Sequence, residues 1–310
     1  PAVIDVRAAH VVGSASDAVE VSYTNNSGAA RTIASTEWTL GSSTSTSTPS
    51  QPIVVAPGTT TRLRSPDIAA GSGATAYAAV VRFAGGGSAR TTGTLASLAR
   101  AEVEAVAERT ISVDGVLDDL TGVAAQKPTA PGVDPATLDA DVWFNWDDDN
   151  LNLTASVHDD VHRQTDTGTA TWRGDSIQFG VASGWPGESI LRPEVQDVRE
   201  YTFALTSTGP QLYRQATYGV TAGSVSAATI AISRDDDAER TVYEAAIPWS
   251  EFPGLAPSGE HAASLSIAIN DVDAGALRGW VQWGGGITTD KDTQNYRPVR
   301  WATPATPQNG

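Results

Sequence analysis

Three short stretches carry side chains able to do chemistry. The first is Thr171-Trp172-Arg173-Gly174-Asp175-Ser176, a polar, glycine-containing segment just ahead of a strand pattern. A tryptophan at such a junction is expected to be exposed. An exposed indole offers a flat apolar face to the C–H face of a sugar ring, while nearby polar groups such as Arg173 and Asp175 bond the hydroxyls. The second stretch is Asp271-Val272-Asp273-Ala274-Gly275. Its alternating carboxylates and nearby glycine match the opening of a calcium loop, although Gln282 stands where an EF-hand would place its closing glutamate. A structural Ca2+ held by Asp271 and Asp273 is the expectation. The third is the glycine-rich run 284–292, which contains Lys291, one of two lysines in the chain beside Lys127. Its ammonium can donate to a sugar hydroxyl or meet a substrate carboxylate.

Signatures of catalysis are missing. The sequence has no Gly-x-Ser-x-Gly elbow, no Walker loop, no dinucleotide fingerprint and no His-Glu-x-x-His. With no cysteine there is no thiolate nucleophile, thiolate metal site or disulfide. His158 and His162 are four apart on a strand pattern and read as a solvated pair. Acids are too abundant for a glycosidase pair to be read from spacing.

The elements that must position these residues are strands. In the first third, Val19–Tyr23, Thr32–Leu40, Ile53–Val55 and Tyr77–Phe83 are strand-like, punctuated by Asn25-Asn26-Ser27-Gly28, Pro57-Gly58 and Gly85-Gly86-Gly87-Ser88. A Ser/Thr tract from Gly41 to Ser50 reads as a solvated loop. Beyond it, 143–146, 151–157, 176–181, 201–205, 242–247 and 265–269 carry strand patterns, and residues 248–252 a short helical turn. The segment after Arg100 reads as an extended linker strand. The expected fold is all-β, with two β-sandwich domains: 1–100, immunoglobulin- or fibronectin-like, and 101–310, larger.

Charge marks the same division. Residues 1–107 hold seven acids and seven arginines, whereas 108–310 hold 29 acids against 13 bases and so carry the whole net charge of −16. That field disfavours nucleic acid, anionic lipid and long polyanionic glycans as partners. No apolar run is long enough to insert into a membrane. A chain that opens on Pro1 is expected to be a processed or excised piece, its export signal already removed.

The second domain resembles the family 9 carbohydrate-binding modules. The likeness begins at Ile111-Ser112-Val113-Asp114-Gly115-Val116-Leu117-Asp118-Asp119 and runs through Trp146-Asp147-Asp148-Asp149-Asn150-Leu151-Asn152-Leu153 and Val157-His158-Asp159-Asp160. It continues with Trp172-Arg173-Gly174-Asp175-Ser176-Ile177-Gln178, Tyr243–Trp249 and Ile269–Asp273. The resemblance implies a β-sandwich that binds sugar chain ends without cutting them, often beside structural calcium, and that clamps a sugar between two tryptophans. Trp172 matches the first of these, and Gln178 stands at a ligand-binding glutamate's place. Lys291 stands where the second tryptophan would be. Thr202 falls at a ligand-binding arginine, with Arg199 close by. A haem-binding relative is disfavoured, since its usual methionine ligand has no counterpart in a chain without methionine.

The expected function is that of a non-catalytic carbohydrate-binding region of a secreted bacterial glycan-active enzyme. It would bind sugars by Trp172 stacking and serve an upstream catalytic domain. The alternative is a structural or docking module of a glycoside hydrolase or lyase that no longer binds sugar.

Overall fold

The computed structural model describes residues 4–12, 16–69, 73–186, 198–217, 219–252, 255 and 261–302. The chain divides into two compact units, 1–103 with 260–262, and 104–259 with 263–310.

The first unit is built from β1 (Ile4–Val12), β2 (Ser16–Asn25), β3 (Arg31–Leu40), β4 (Ser43–Ser47), β5 (Ile53–Val55), β6 (Thr60–Arg64), β7 (Ile68–Ala69), β8 (Gly73–Phe83) and β9 (Ser88–Ser97). One sheet runs β1-β2-β6 with β7 also on β2; the other runs β4-β3-β8-β9 with β5 on β3. Burial alternates along β2 at Val19, Val21 and Tyr23 and along β8 at Tyr77, Ala79, Val81 and Phe83. A period of two gives each sheet one inner face, and these faces close on Trp38 and Tyr23, both fully buried. The Ser/Thr tract departs from the expected loop. Residues 43–47 form β4, an edge strand exposed along its whole length, because threonine tolerates the extended backbone and β3 offers a free edge to pair with. Leu95 belongs to β9 and is buried, and the chain then passes through a short 3-10 turn, Arg100–Glu102.

The second unit holds β10 (Glu104–Glu108), β11 (Leu138–Trp146), β12 (Asn150–Asp159), β13 (Ser176–Ser183), β14 (Val198–Thr206), β15 (Gly209–Arg214), β16 (Gly223–Ser224), β17 (Thr229–Asp235), β18 (Arg240–Pro248), β19 (Ala263–Asp273), β20 (Ala276–Trp283) and β21 (Arg297–Ala302). They form one hydrogen-bonded path, β16-β15-β14-β13-β19-β21-β10-β11-β12-β18-β17, with β20 also on β19. Rings from its two halves meet in the core: Phe203 with Tyr243 at 5.5 Å, Phe144 with Trp283 at 6.0 Å and Trp249 with Trp301 at 5.4 Å. These edge-on and tilted contacts are the favoured aromatic geometries. The extended strand expected after Arg100 is present and joins the sheet. It becomes β10, parallel to β21 on one side and to β11 on the other, with Val106 buried between exposed neighbours.

Alternation along β13 sets up the functional face. Ile177, Phe179 and Val181 turn inward, so Gln178, Gly180 and Ala182 lie on the outer face of β15-β14-β13-β19-β20.

Candidate functional site

Strand register places one row of side chains straight across this outer face. Tyr213 on β15 pairs with Thr202 on β14, Thr202 with Gln178 on β13, Gln178 with Ala268 on β19, and Ala268 with Gln282 on β20. Five strands at about 4.8 Å spacing make the row roughly 19 Å long. Tyr213, Gln178 and Gln282 are only partly buried. Gln215 extends the row by donating to the Thr202 hydroxyl at 2.8 Å. Three amides and a phenol thus face outward without a net charge, and amides both donate to and accept from hydroxyls.

Trp172 sits beside this row on a 3-10 helix, Gly168–Arg173. Two bonds pin that helix to the sheet: Asn270 Nδ2 donates to the Trp172 carbonyl at 3.1 Å, and the Gly168 N–H donates to Gln211 Oε1 at 2.7 Å. With its main chain so fixed, the indole remains 46% exposed. Arg173 holds its guanidinium 5.5 Å from the ring centroid, over one face of the indole.

The far end of the face is closed by the loop 284–296. Gly285 donates to the Asn295 carbonyl at 2.8 Å, cinching the loop shut. Gly286 has a φ of 78°, and a Cβ there would overlap the Asp292 carbonyl, so glycine alone fits the crossing. Ile287 and Tyr296 bury themselves on Ala182 and Val198. Lys291 reaches in to Glu200, Nζ to Oε2 at 2.6 Å, and the Tyr296 hydroxyl donates to Glu200 Oε1 at 3.3 Å. Burial pushes the Glu200 carboxyl up from its usual range, while Lys291 and Tyr296 pull it back. Lys291 itself is half exposed.

Two of the residues picked out as sugar contacts lie elsewhere. Arg199 faces the opposite side of β14 from Glu200 and donates to the Glu251 and Val198 carbonyls, so its guanidinium is committed to backbone. Asp175 is buried and accepts the Arg163 N–H and the Val272 N–H, the latter at 2.6 Å. It belongs to an acidic cluster with Asp159, Asp271 and Asp273, into which His162 also packs. His162 is therefore not half of a solvated pair: its Nδ1 lies 3.9 Å from Asp159 and 3.7 Å from Asp175, while His158 contacts the Glu239 and Ala136 carbonyls.

Carboxylate oxygens of Asp159, Asp271 and Asp273 lie within 4.8 Å of one another. Asp271 Oδ1 and Asp273 Oδ1 are buried with no hydrogen-bond donor. Burial, then the Asp159 and Asp271 charges, raise the Asp175 carboxyl to about 8; burial, then Asp273, Asp159 and Asp160, raise Asp271 to about 6. Orphaned hard oxygens crowded at one point are the donor set a calcium ion takes. The sequence showed Asp271 and Asp273 through their alternation. Asp159 and Glu200 were not picked out, and Asp175 was read as a sugar contact, because strand pairing alone brings them to these places.

A family model described as "Carbohydrate family 9 binding domain-like" matches residues 113–301. The chain belongs to this family. Among solved structures, a family 9 carbohydrate-binding module from Caldicellulosiruptor kristjanssonii in complex with cellotriose is similar at 14% identity, covering 67% of this chain and 99% of its own, with a TM-score of 0.48. The same organism's family 9 module in complex with glucose is similar at 15% identity, over 66% and 98% of the two chains, with a TM-score of 0.46. No curated protein matches the chain.

Proposed function

We propose that the second unit binds a neutral glycan on the outer face of β15-β14-β13-β19-β20 and catalyses nothing itself. The observation that carries this reading is Trp172, a half-exposed indole held by its main chain beside a row of uncharged amides, in a member of the carbohydrate family 9 binding domain-like family. A pyranose would stack its C–H face on Trp172, and Gln178 and Gln282 would meet its hydroxyls. Lys291 would add a donor at the far end. Glu200 already balances the ammonium, so it would not draw polyanions.

Calcium bound by Asp159, Asp271 and Asp273, with Asp175 and His162 beside them, would be structural. It would neutralise the crowded carboxylates that join the end of β12 to the end of β19. The chain would serve a secreted bacterial glycan-active enzyme, holding an upstream catalytic domain at its substrate. Weak binding suffices there, because tethering raises effective concentration.

The test is a glycan array probed with the protein in calcium, beside the Trp172→Ala variant. Binding to one class of glycan, lost in the variant, supports the reading. A folded wild type that binds no glycan favours the structural module instead, a reading that draws on Lys291 standing at the place of a second stacking ring.

A further inference from the structure

The nine tryptophans differ sharply in how their rings are used. Trp38, Trp146, Trp185, Trp249, Trp283 and Trp301 are buried. Trp143 is partly exposed, but its indole N–H donates to the Val123 carbonyl at 3.1 Å. Trp172 and Trp280 remain. Both reach solvent, and among the described residues neither indole N–H has a protein partner.

These two residues meet at one side chain. Asn270 donates to the Trp172 carbonyl at 3.1 Å, and Asn270 is the direct cross-strand partner of Trp280. The irregularity between β19 and β20 begins only at Asp271, so the Asn270–Trp280 pair is in regular register. Opposed residues on an antiparallel pair share a face, with their side-chain stems about 5 Å apart. Trp280 therefore rises from the same face as Gln178 and Gln282, beside the anchor of Trp172.

We propose that Trp280 is the second aromatic contact of this face, and that the ligand is a neutral oligosaccharide lying across Asn270 with one indole on either side. The inference rests on the carbohydrate reading above and adds a residue to it. With Arg173 over one face of Trp172, that ring offers a single stacking surface. A second aromatic surface rises from β20 on the same face. Lys291 is paired with Glu200, Arg278 with Asp273, and Arg173 lies over the Trp172 ring, which leaves recognition to amides and rings.

The experiment uses the protein labelled with 5-fluorotryptophan, with resonances assigned by Trp172→Phe and Trp280→Phe variants. The probe is the tightest-binding glycan from an array carrying neutral and uronate-bearing oligosaccharides. The result expected is a neutral probe that shifts the Trp172 and Trp280 resonances and leaves the other seven in place. Trp280→Ala should then weaken binding about tenfold at an unchanged melting temperature, as loss of one stacking surface implies. A shift at Trp172 alone, with Trp280→Ala binding like wild type, overturns the inference while leaving the sugar site standing. A uronate as the tightest binder overturns the choice of a neutral ligand. Absence of any binder overturns this inference and the carbohydrate reading together.

Discussion

At the scale of the residue, the site is governed by which side chains are left unsatisfied. Trp172 exposes an indole that the fold gains nothing by exposing. Trp172→Ala is therefore expected to lose more than tenfold in glycan affinity, measured by calorimetry, with its melting temperature unmoved. Lys291 and Glu200 make the opposite case. Removing the ammonium in Lys291→Met strands a buried carboxyl, so the melting temperature should fall, and Glu200→Gln in the same chain should restore most of the loss. Lys291 is half exposed and solvent screens it, so the effect is smaller than for a fully buried pair. A double variant no better than Lys291→Met would show that the pair is incidental. Of the residues on this face, Trp172 and Lys291 stand out in the sequence because local context marks a junction tryptophan and a lone lysine among glycines, while Gln178 was reached only through the family resemblance. Arg199 and Asp175 lie off this face for one physical reason: proximity along the chain does not say which way a side chain turns.

At the scale of the element, the outer face works because β13 carries a small residue at its centre. Tyr296 lies on Gly180, and a Cβ there would overlap its phenol. Gly180→Ala should displace the 284–296 loop and cost about 1–3 kcal/mol in chemical denaturation, as overpacking does. Glycan affinity should fall with it, since Lys291 rides on that loop. Unchanged stability would mean that the loop is not seated as described. The strands themselves were readable from their period of two, and the turn after β18 from its breakers. The edge strand β4 was not, because an exposed Ser/Thr tract carries no apolar alternation and pairs only once β3 is in place. The acidic cluster was half readable: two members share β19, while Asp159 ends β12 and Asp175 immediately precedes β13.

At the scale of the whole molecule, charge sets the terms. All of the −16 lies beyond residue 107, and Asp175 and Asp271 already resist ionising. The folded carboxyls have pKa values above those of the unfolded chain. The native state therefore holds more protons between the two, and stability falls as pH rises from about 4 toward 8. In chelator, the melting temperature should decline over that window. Added calcium should raise it, with a gain that grows with pH. A gain independent of pH would place the ion away from these carboxylates. Glycan binding itself should change less than about twofold between 0.05 and 0.5 M salt, because the recognition groups are uncharged or paired. A steep salt dependence would point to an ionic ligand.

The position of β10 has a mechanical consequence. It enters the second unit at Glu104 opposite Val299 and runs parallel to β21, whose last residue is Ala302. A pull applied at Glu104 and Ala302 drags two parallel neighbours past each other along their length. Their hydrogen bonds must then fail together rather than one after another. Such a shear arrangement resists force far better than peeling an edge strand like β17 from β18. A force applied through the two ends of this unit would act along the axis in which it is strongest.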